Sequence, residues 1–279
     1  MNLHFLRAGD VELAAWEWPG ADPPLLFAHA AGFHGRCWDH IIHLFPGRRS
    51  LAIEFRGHGR SAKPASPIPW RHFTDDVIAV ADHFGIRDAI GIGHSMGGHA
   101  VAEAAALRPE LFGALVLVDP VIFPPFWYSA PPPDASFIAR RRNRWASPAE
   151  MLERFRSRPP FAAWRPEVLK NYCDYGLLPD GDGYVLACPP QIEAAIYGMS
   201  NAPESDIYPQ IATIRLPVTI LRAGAIAPPG VFDLAASPTA PDLVSKFRNA
   251  REVFLPDNNH YIPMEAPELV AKAIAESAT

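Results

Sequence analysis

The sequence has few cysteines and no long apolar run. Its 279 residues include only three cysteines, Cys37, Cys173 and Cys188, and they form no C-x-x-C pair. This spacing indicates neither a zinc site nor a disulfide scaffold. No stretch of about 18 apolar residues occurs, so a membrane span is not expected. We therefore expect a chain that holds no metal and does not cross a membrane.

An excess of basic residues is also missing. Lysine and arginine number 25 against 30 aspartates and glutamates, and the net charge is -5. Because nucleic-acid-binding surfaces are marked by clustered positive charge, we expect no nucleic-acid partner. The first residues, MNLHFLRAGDVELAAW, lack the basic segment and apolar run of a signal peptide, so we expect a cytoplasmic location.

Strand-like and helix-like segments alternate along the first 119 residues. Alternating or apolar runs predict strands, and apolar residues at helical spacing predict helices. The predicted strands are 11–18, 24–28, 50–55, 89–93 and 114–118, and the predicted helices are 36–45, 73–84 and 96–107. This order predicts an α/β fold with a parallel sheet and helices on both of its faces.

The pattern changes between residues 120 and 208. Proline pairs and dense aromatic residues replace the alternation, and short helical pieces lie between them. Strand-like runs return at 217–222 and 252–255, and a final helix follows from about residue 267. We therefore predict a core of residues 1–119 and 209–279, with residues 120–208 as a helical cap inserted between its two parts.

The segment GIGHSMGG places Ser95 between a predicted strand and a predicted helix. A serine at such a sharp turn needs small neighbours, because the strand and the helix approach each other closely there. The N-terminus of the helix then offers N–H groups to an oxyanion. Ser95 is therefore the candidate nucleophile.

A serine hydroxyl needs a base, and the base needs an acid that orients it. His260 lies in the loop after the last predicted strand, within DNNHYIP, and is the candidate base. For the acid we favour Asp119, which ends the strand ALVLV, over Asp233, which lies beyond a Pro-Pro-Gly turn after the next strand. A chain without an acid is the third alternative.

Five motifs together resemble the α/β-hydrolase family along nearly the whole length. They are HAAGFHGRCWDH, EFRGHGRSAKP, GIGHSMGG, ALVLVDP and DNNHYIPMEAPE. The resemblance implies the α/β-hydrolase fold, with a mostly parallel eight-stranded sheet and a helical cap after the sixth strand. It also implies an oxyanion hole formed by the N–H groups of Met96 and Ala31. An acid after the sixth strand occurs in some lactone-cleaving members of that family.

We expect a serine hydrolase, without a cofactor, that cleaves a small-to-medium hydrophobic ester or lactone through an acyl-enzyme. The expected pocket residues are Phe33, His34, Phe126, Trp127 and Tyr128. The same residues also fit a C–C bond hydrolase of a diketone, a cofactor-free perhydrolase, or a small-molecule receptor with little turnover. We expect a monomer or a homodimer.

The run Arg140-Arg141-Arg142-Asn143-Arg144 has two interpretations. It could bind an acidic substrate, or it could form a solvated face of a helix. We favour the solvated face.

Overall fold

The computed structural model describes residues 1–65, 67–228 and 231–278. Its first part supplies six strands of the central sheet and three helices. The strands are β1 (Asn2–Ala8), β2 (Val11–Trp18), β3 (Ala21–Ala28), β4 (Arg48–Glu54), β5 (Ala89–His94) and β6 (Phe112–Val118). The helices are α1 (Asp39–Ile42), α2 (Arg71–His83) and α3 (Met96–Leu107). Of these six strands, β1 was not predicted from the sequence. Three of its seven residues are polar or charged, so it lacks a clear apolar run.

The middle of the chain holds short helices and a small second sheet. The helices are α4 (Ser136–Ala139), α5 (Pro148–Phe155), α6 (Pro166–Tyr175), α7 (Pro190–Gly198) and α8 (Tyr208–Ile211). Strands β7 (Arg144–Trp145), β8 (Leu177–Asp180) and β9 (Gly183–Leu186) form an antiparallel sheet in the order β7-β9-β8. The predicted insertion is therefore not purely helical, because strands of two to four residues are too short to leave a periodic signal.

The last part of the chain completes the central sheet. Strands β10 (Val218–Ala223) and β11 (Ala250–Leu255) are followed by helices α9 (Ile262–Glu265) and α10 (Pro267–Ser277). The eight strands lie in the order β1-β2-β4-β3-β5-β6-β10-β11, and β2 runs antiparallel to both of its neighbours. The mostly parallel eight-stranded sheet confirms the predicted fold class. Among the described residues, no helix has both the length and the apolar character needed to cross a membrane.

Both faces of the sheet are covered, which explains why its central strands are apolar throughout. Helices α2 and α3 pack on one face, and α1 and α10 pack on the other. Strand β5 is buried at every position, and β6 at every position except Gly113. A strand covered on both faces has no solvent side, so a continuous apolar run replaces the alternation.

Two glycines allow helix α3 to cross closely behind strand β5. A Cβ atom on Gly97 would lie 2.2 Å from the carbonyl oxygen of Ala28, and one on Gly93 would lie 2.4 Å from the carbonyl oxygen of Gly97. Both contacts are with backbone atoms, which cannot turn aside as a flexible side chain can. The small residues on either side of Ser95 are therefore required by packing.

We predict that Gly97→Ala destabilises the fold by about 3 kcal/mol, the upper part of the range for overpacked sites. Urea unfolding measures this change. Gly198→Ala is the matched control, because a Cβ at Gly198 meets nothing within 4 Å. The control should keep the wild-type free energy of unfolding within about 0.5 kcal/mol. Equal stability of the two variants would contradict the packing argument.

Candidate active site

Three side chains from distant parts of the sequence meet at the carboxyl ends of the central strands. Ser95 follows β5, Asp119 follows β6, and His260 lies between β11 and α9. The Oγ of Ser95 is 2.9 Å from Nε2 of His260, and Nδ1 of His260 is 2.7 Å from Oδ2 of Asp119. All three residues are less than 10% exposed. They form one continuous hydrogen-bonded chain.

The backbone of Ser95 has φ 58° and ψ −121°, a conformation that residues other than glycine rarely adopt. Hydrogen bonds hold the turn from both sides. The Ser95 N–H donates to the carbonyl of Val118 (3.0 Å), and its carbonyl accepts from the N–H groups of Gly98 (3.0 Å) and Val121 (3.1 Å). Such a conformation persists only where the surrounding structure determines it. The end of β6 and the start of α3 therefore fix the turn together.

Asp119 is enclosed by hydrogen-bond donors. Its Oδ1 accepts from the Ala223 N–H (2.9 Å) and from the hydroxyls of Ser237 (2.7 Å) and Thr239 (3.2 Å), while Oδ2 faces His260. Burial alone would raise the pKa of Asp119. The hydrogen bonds from His260, Ser237 and Ala223 outweigh burial and lower the pKa below its usual value. The carboxyl group is therefore ionised at neutral pH.

The loop after β10 supplies hydroxyl groups to Asp119, and no carboxylate among its described residues is hydrogen-bonded to His260. Strand β10 pairs with β6, so the end of β10 lies beside Asp119. Ser237 and Thr239 then reach Asp119 from that loop, whereas Asp233 is exposed and accepts from the N–H of Ala235. The sequence analysis missed Ser237 and Thr239, because hydroxyl residues far along a loop carry no distinctive spacing.

Two neutral histidines hold the loop that follows β3. His29 donates from Nδ1 to the carbonyl of Ala30 (2.7 Å) and accepts at Nε2 from the N–H of Phe55 (3.2 Å). His58 donates from Nδ1 to the carbonyl of Arg56 (3.1 Å) and accepts at Nε2 from the N–H of Gly32 (3.0 Å).

Burial lowers the pKa of His29 to about 4 and that of His58 well below its usual value. Each ring therefore keeps one donor and one acceptor nitrogen at neutral pH. This arrangement occupies the N–H of Gly32 and sets the course of the loop through Ala31. On the other side of Ser95, Met96 is the first residue of α3, where N–H groups have no partner within the helix.

A small cavity of about 10 Å³ adjoins this loop, with room for about one water molecule. Phe33 and His34 line it, as do residues of the middle segment. The complete lining is Gly32, Phe33, His34, Arg141, Tyr172, Gly176, Leu186, Ala187, Cys188 and Glu193. The middle segment therefore closes tightly over the loop.

The other three expected pocket residues do not line this cavity. Phe126 is 70% exposed, and Trp127 is 42% exposed with its ring stacked on Phe123. Tyr128 is buried, with its ring edge against Phe123. Aromatic residues in a proline-rich segment indicate burial in general, but they do not identify the surface that each ring covers.

The prediction that the arginine run forms a solvated helix face is wrong, because residues 140–143 follow helix α4 and Arg144 begins strand β7. Arg141, moreover, turns inward. Its side chain is 27% exposed and lines the cavity, and its Nη1 donates to both carboxyl oxygens of Glu193 (2.7 and 2.6 Å). Arg140, Arg142 and Arg144 are exposed as expected. The buried carboxylate on α7 supplies the counter-charge that allows Arg141 to turn inward.

Known proteins match nearly the whole chain. The model of the alpha/beta hydrolase family matches residues 25–273. Lipase LipV of Mycobacterium tuberculosis is 28% identical, with 98% of this chain and 97% of that protein covered. A 2-(acetamidomethylene)succinate hydrolase of Mesorhizobium japonicum is 25% identical, with 91% of this chain and 87% of that protein covered.

Solved structures share the fold at lower sequence identity. The crystal structure of E-2-(acetamidomethylene)succinate hydrolase has a TM-score of 0.79 at 22% identity and covers 99% of this chain and 98% of that one. The enol-lactonase of Burkholderia xenovorans has a TM-score of 0.70 at 18% identity, with 99% of each chain covered. With the family model matching most of its length, this chain belongs to the α/β-hydrolase family of enzymes.

Proposed function

We propose that the protein is a serine hydrolase that cleaves a carboxylic ester or lactone, with Ser95 as nucleophile, His260 as base and Asp119 as acid. The observation that carries the proposal is the hydrogen-bonded chain from Ser95 Oγ through His260 to Asp119 Oδ2. An ionised Asp119 accepts the Nδ1 proton of His260. Nε2 is then the unprotonated nitrogen, and it faces the hydroxyl that it must deprotonate.

The reaction proceeds in two halves. Ser95 Oγ attacks the substrate carbonyl carbon while its proton moves to Nε2 of His260, and the N–H groups of Met96 and Ala31 stabilise the oxyanion. His260 then gives that proton to the leaving alcohol oxygen as the C–O bond breaks, which leaves an acyl-enzyme. A water molecule then attacks the acyl carbon while His260 takes its proton. His260 gives this proton to Ser95 Oγ as the bond between the acyl carbon and Oγ breaks, which releases the acid and free Ser95.

An apolar substrate fits the surroundings of this site. A cluster of buried aromatic and apolar side chains joins the loop after β3 to the middle segment of the chain. Its aromatic members are Phe33, Trp145, Trp164, Tyr172 and Tyr261. The names of two similar proteins, a lipase and an enol-lactonase, agree with an ester or lactone.

We include in this proposal a cap, residues 120–208, that moves when the substrate binds. The cavity beside the loop after β3, which neither Ser95 nor His260 lines, has room for about one water molecule, far less than an acyl chain requires. Residues of this segment form most of the cavity wall, so their displacement would open the space. Phe33 and His34, which line the cavity from the core side, are then the first residues to contact the acyl group.

Asp119→Asn should lower kcat by about 10³- to 10⁴-fold, because the uncharged amide no longer selects the productive tautomer of His260. Asp233→Asn is the matched control and should retain wild-type kcat within about twofold, because Asp233 is exposed and its carboxylate accepts from the N–H of Ala235 rather than from His260. Steady-state hydrolysis of an activated ester measures both. The reverse pattern would refute the assignment of the acid.

Hydrolysis of p-nitrophenyl esters with acyl chains of two to about twelve carbons tests the reaction itself. Wild-type protein should release p-nitrophenol over many turnovers, and Ser95→Ala should lower the rate by about 10⁶-fold, to the background. The chain length with the highest kcat/KM measures the space that the opened cap provides. Release of a single equivalent, or none, would contradict the proposal and favour a receptor or a C–C bond hydrolase.

A further inference from the structure

His94 is a buried histidine beside the proposed base, and the mechanism above gives it no role. It is the last residue of β5 and is 0% exposed. Its Nε2 lies 2.8 Å from the backbone carbonyl oxygen of His260, and the centroids of the two imidazole rings are 4.9 Å apart. The strand that presents the nucleophile therefore also contacts the backbone of the base.

The direction of this hydrogen bond defines the state of His94. A carbonyl oxygen only accepts, so Nε2 of His94 carries the proton and donates it. Nδ1 then lacks the proton in the neutral ring, and among the described residues it has no hydrogen-bond partner. Burial is the main cause that lowers the pKa of His94 to about 3, and the neighbouring His260 ring lowers it further. His94 is therefore a neutral donor at neutral pH.

His260 needs such an anchor because it lies in a loop, outside any helix or strand. Its own N–H donates to the carbonyl of Ala235 (2.8 Å), in the loop that also carries Ser237 and Thr239. Its carbonyl accepts from His94. These two bonds hold the backbone of His260 on both sides of its Cα, while the ring must meet Asp119 and Ser95 at the same time.

We infer that His94 is a positioning residue for His260: its Nε2–H···O=C hydrogen bond holds the backbone of the base so that the imidazole spans Ser95 and Asp119. This inference rests on the proposed serine hydrolase. Misplacement of a reacting group by about 1 Å costs on the order of 10²-fold in rate. The loss should appear in kcat, because His94 contacts the backbone of the base.

The test compares His94→Leu with His94→Gln. Leucine keeps the apolar volume and removes the donor, whereas glutamine places an amide N–H at about the distance from Cα that Nε2 has. With a p-nitrophenyl ester, we expect His94→Leu to lower kcat by about 10- to 100-fold with KM within about threefold, and His94→Gln to restore kcat to within about threefold of the wild type.

His99→Leu is the matched control. His99 is equally buried and donates its Nε2–H to a backbone carbonyl, that of Ser205 (2.9 Å), but its ring packs against Trp70 rather than His260. The control should lose similar stability and keep kcat within about threefold. Equal kcat losses in His94→Leu and His99→Leu, or a His94→Gln variant as slow as His94→Leu, would overturn the inference.

A spectroscopic measurement separates this inference from the proposed activity. The proton between Nδ1 of His260 and Asp119 should give a far-downfield proton NMR signal in the wild type that is lost or broadened in His94→Leu and present in His94→Gln. An unchanged signal in His94→Leu would overturn the positioning role even if no substrate is turned over. If His94→Leu does not fold, His94→Asn, whose shorter side chain cannot reach the carbonyl, replaces it in both measurements.

Discussion

The turn at Ser95 is the constraint on which the rest of the site depends. A residue with φ 58° at a strand-to-helix junction needs glycine close by, a hydrogen-bond partner at the end of β6, and a helix that begins at once. Each of these conditions contributes to the chemistry that we propose. Helix α3 begins directly after Ser95, at Met96, and the bond to Val118 brings the end of β6, and with it Asp119, beside the turn.

The position of the acid follows from the same sheet edge. Strands β6 and β10 are neighbours, so a carboxylate placed directly after either strand would lie near the loop of His260. Here the carboxylate follows β6, and the long loop after β10 contributes Ser237 and Thr239 as hydrogen-bond donors instead. The same loop anchors the N–H of His260 through Ala235. It therefore supports both Asp119 and His260.

The sequence predicts the central sheet well, because the apolar runs that favour strands are also the segments that the fold buries. The predicted bounds of helix α3 and of strand β2 agree with the observed ones. Both elements have a clear apolar pattern and a clear break at each end. The middle segment was harder to predict. Its strands are too short for a period, and the inward turn of Arg141 depends on Glu193, 52 residues away.

Of the site, the sequence predicts those residues that a strand end or a motif identifies, and Ser95, Asp119 and His260 are the three that the structure brings together. Their chemical roles are our proposal. Residues that act through a loop, such as Ser237, or through a backbone atom, such as His94, leave no pattern in one sequence. Phe126, one of the residues predicted to line the pocket, is 70% exposed, and its role stays a prediction.

Covalent labelling of Ser95 tests the central claim most directly. The wild-type protein is incubated with a fluorophosphonate, and its intact mass and peptide map are measured by mass spectrometry. We expect one adduct per chain, on the peptide that contains Ser95, and none in Ser95→Ala. No adduct, or an adduct on another residue, would contradict the claim that His260 and Asp119 activate this serine.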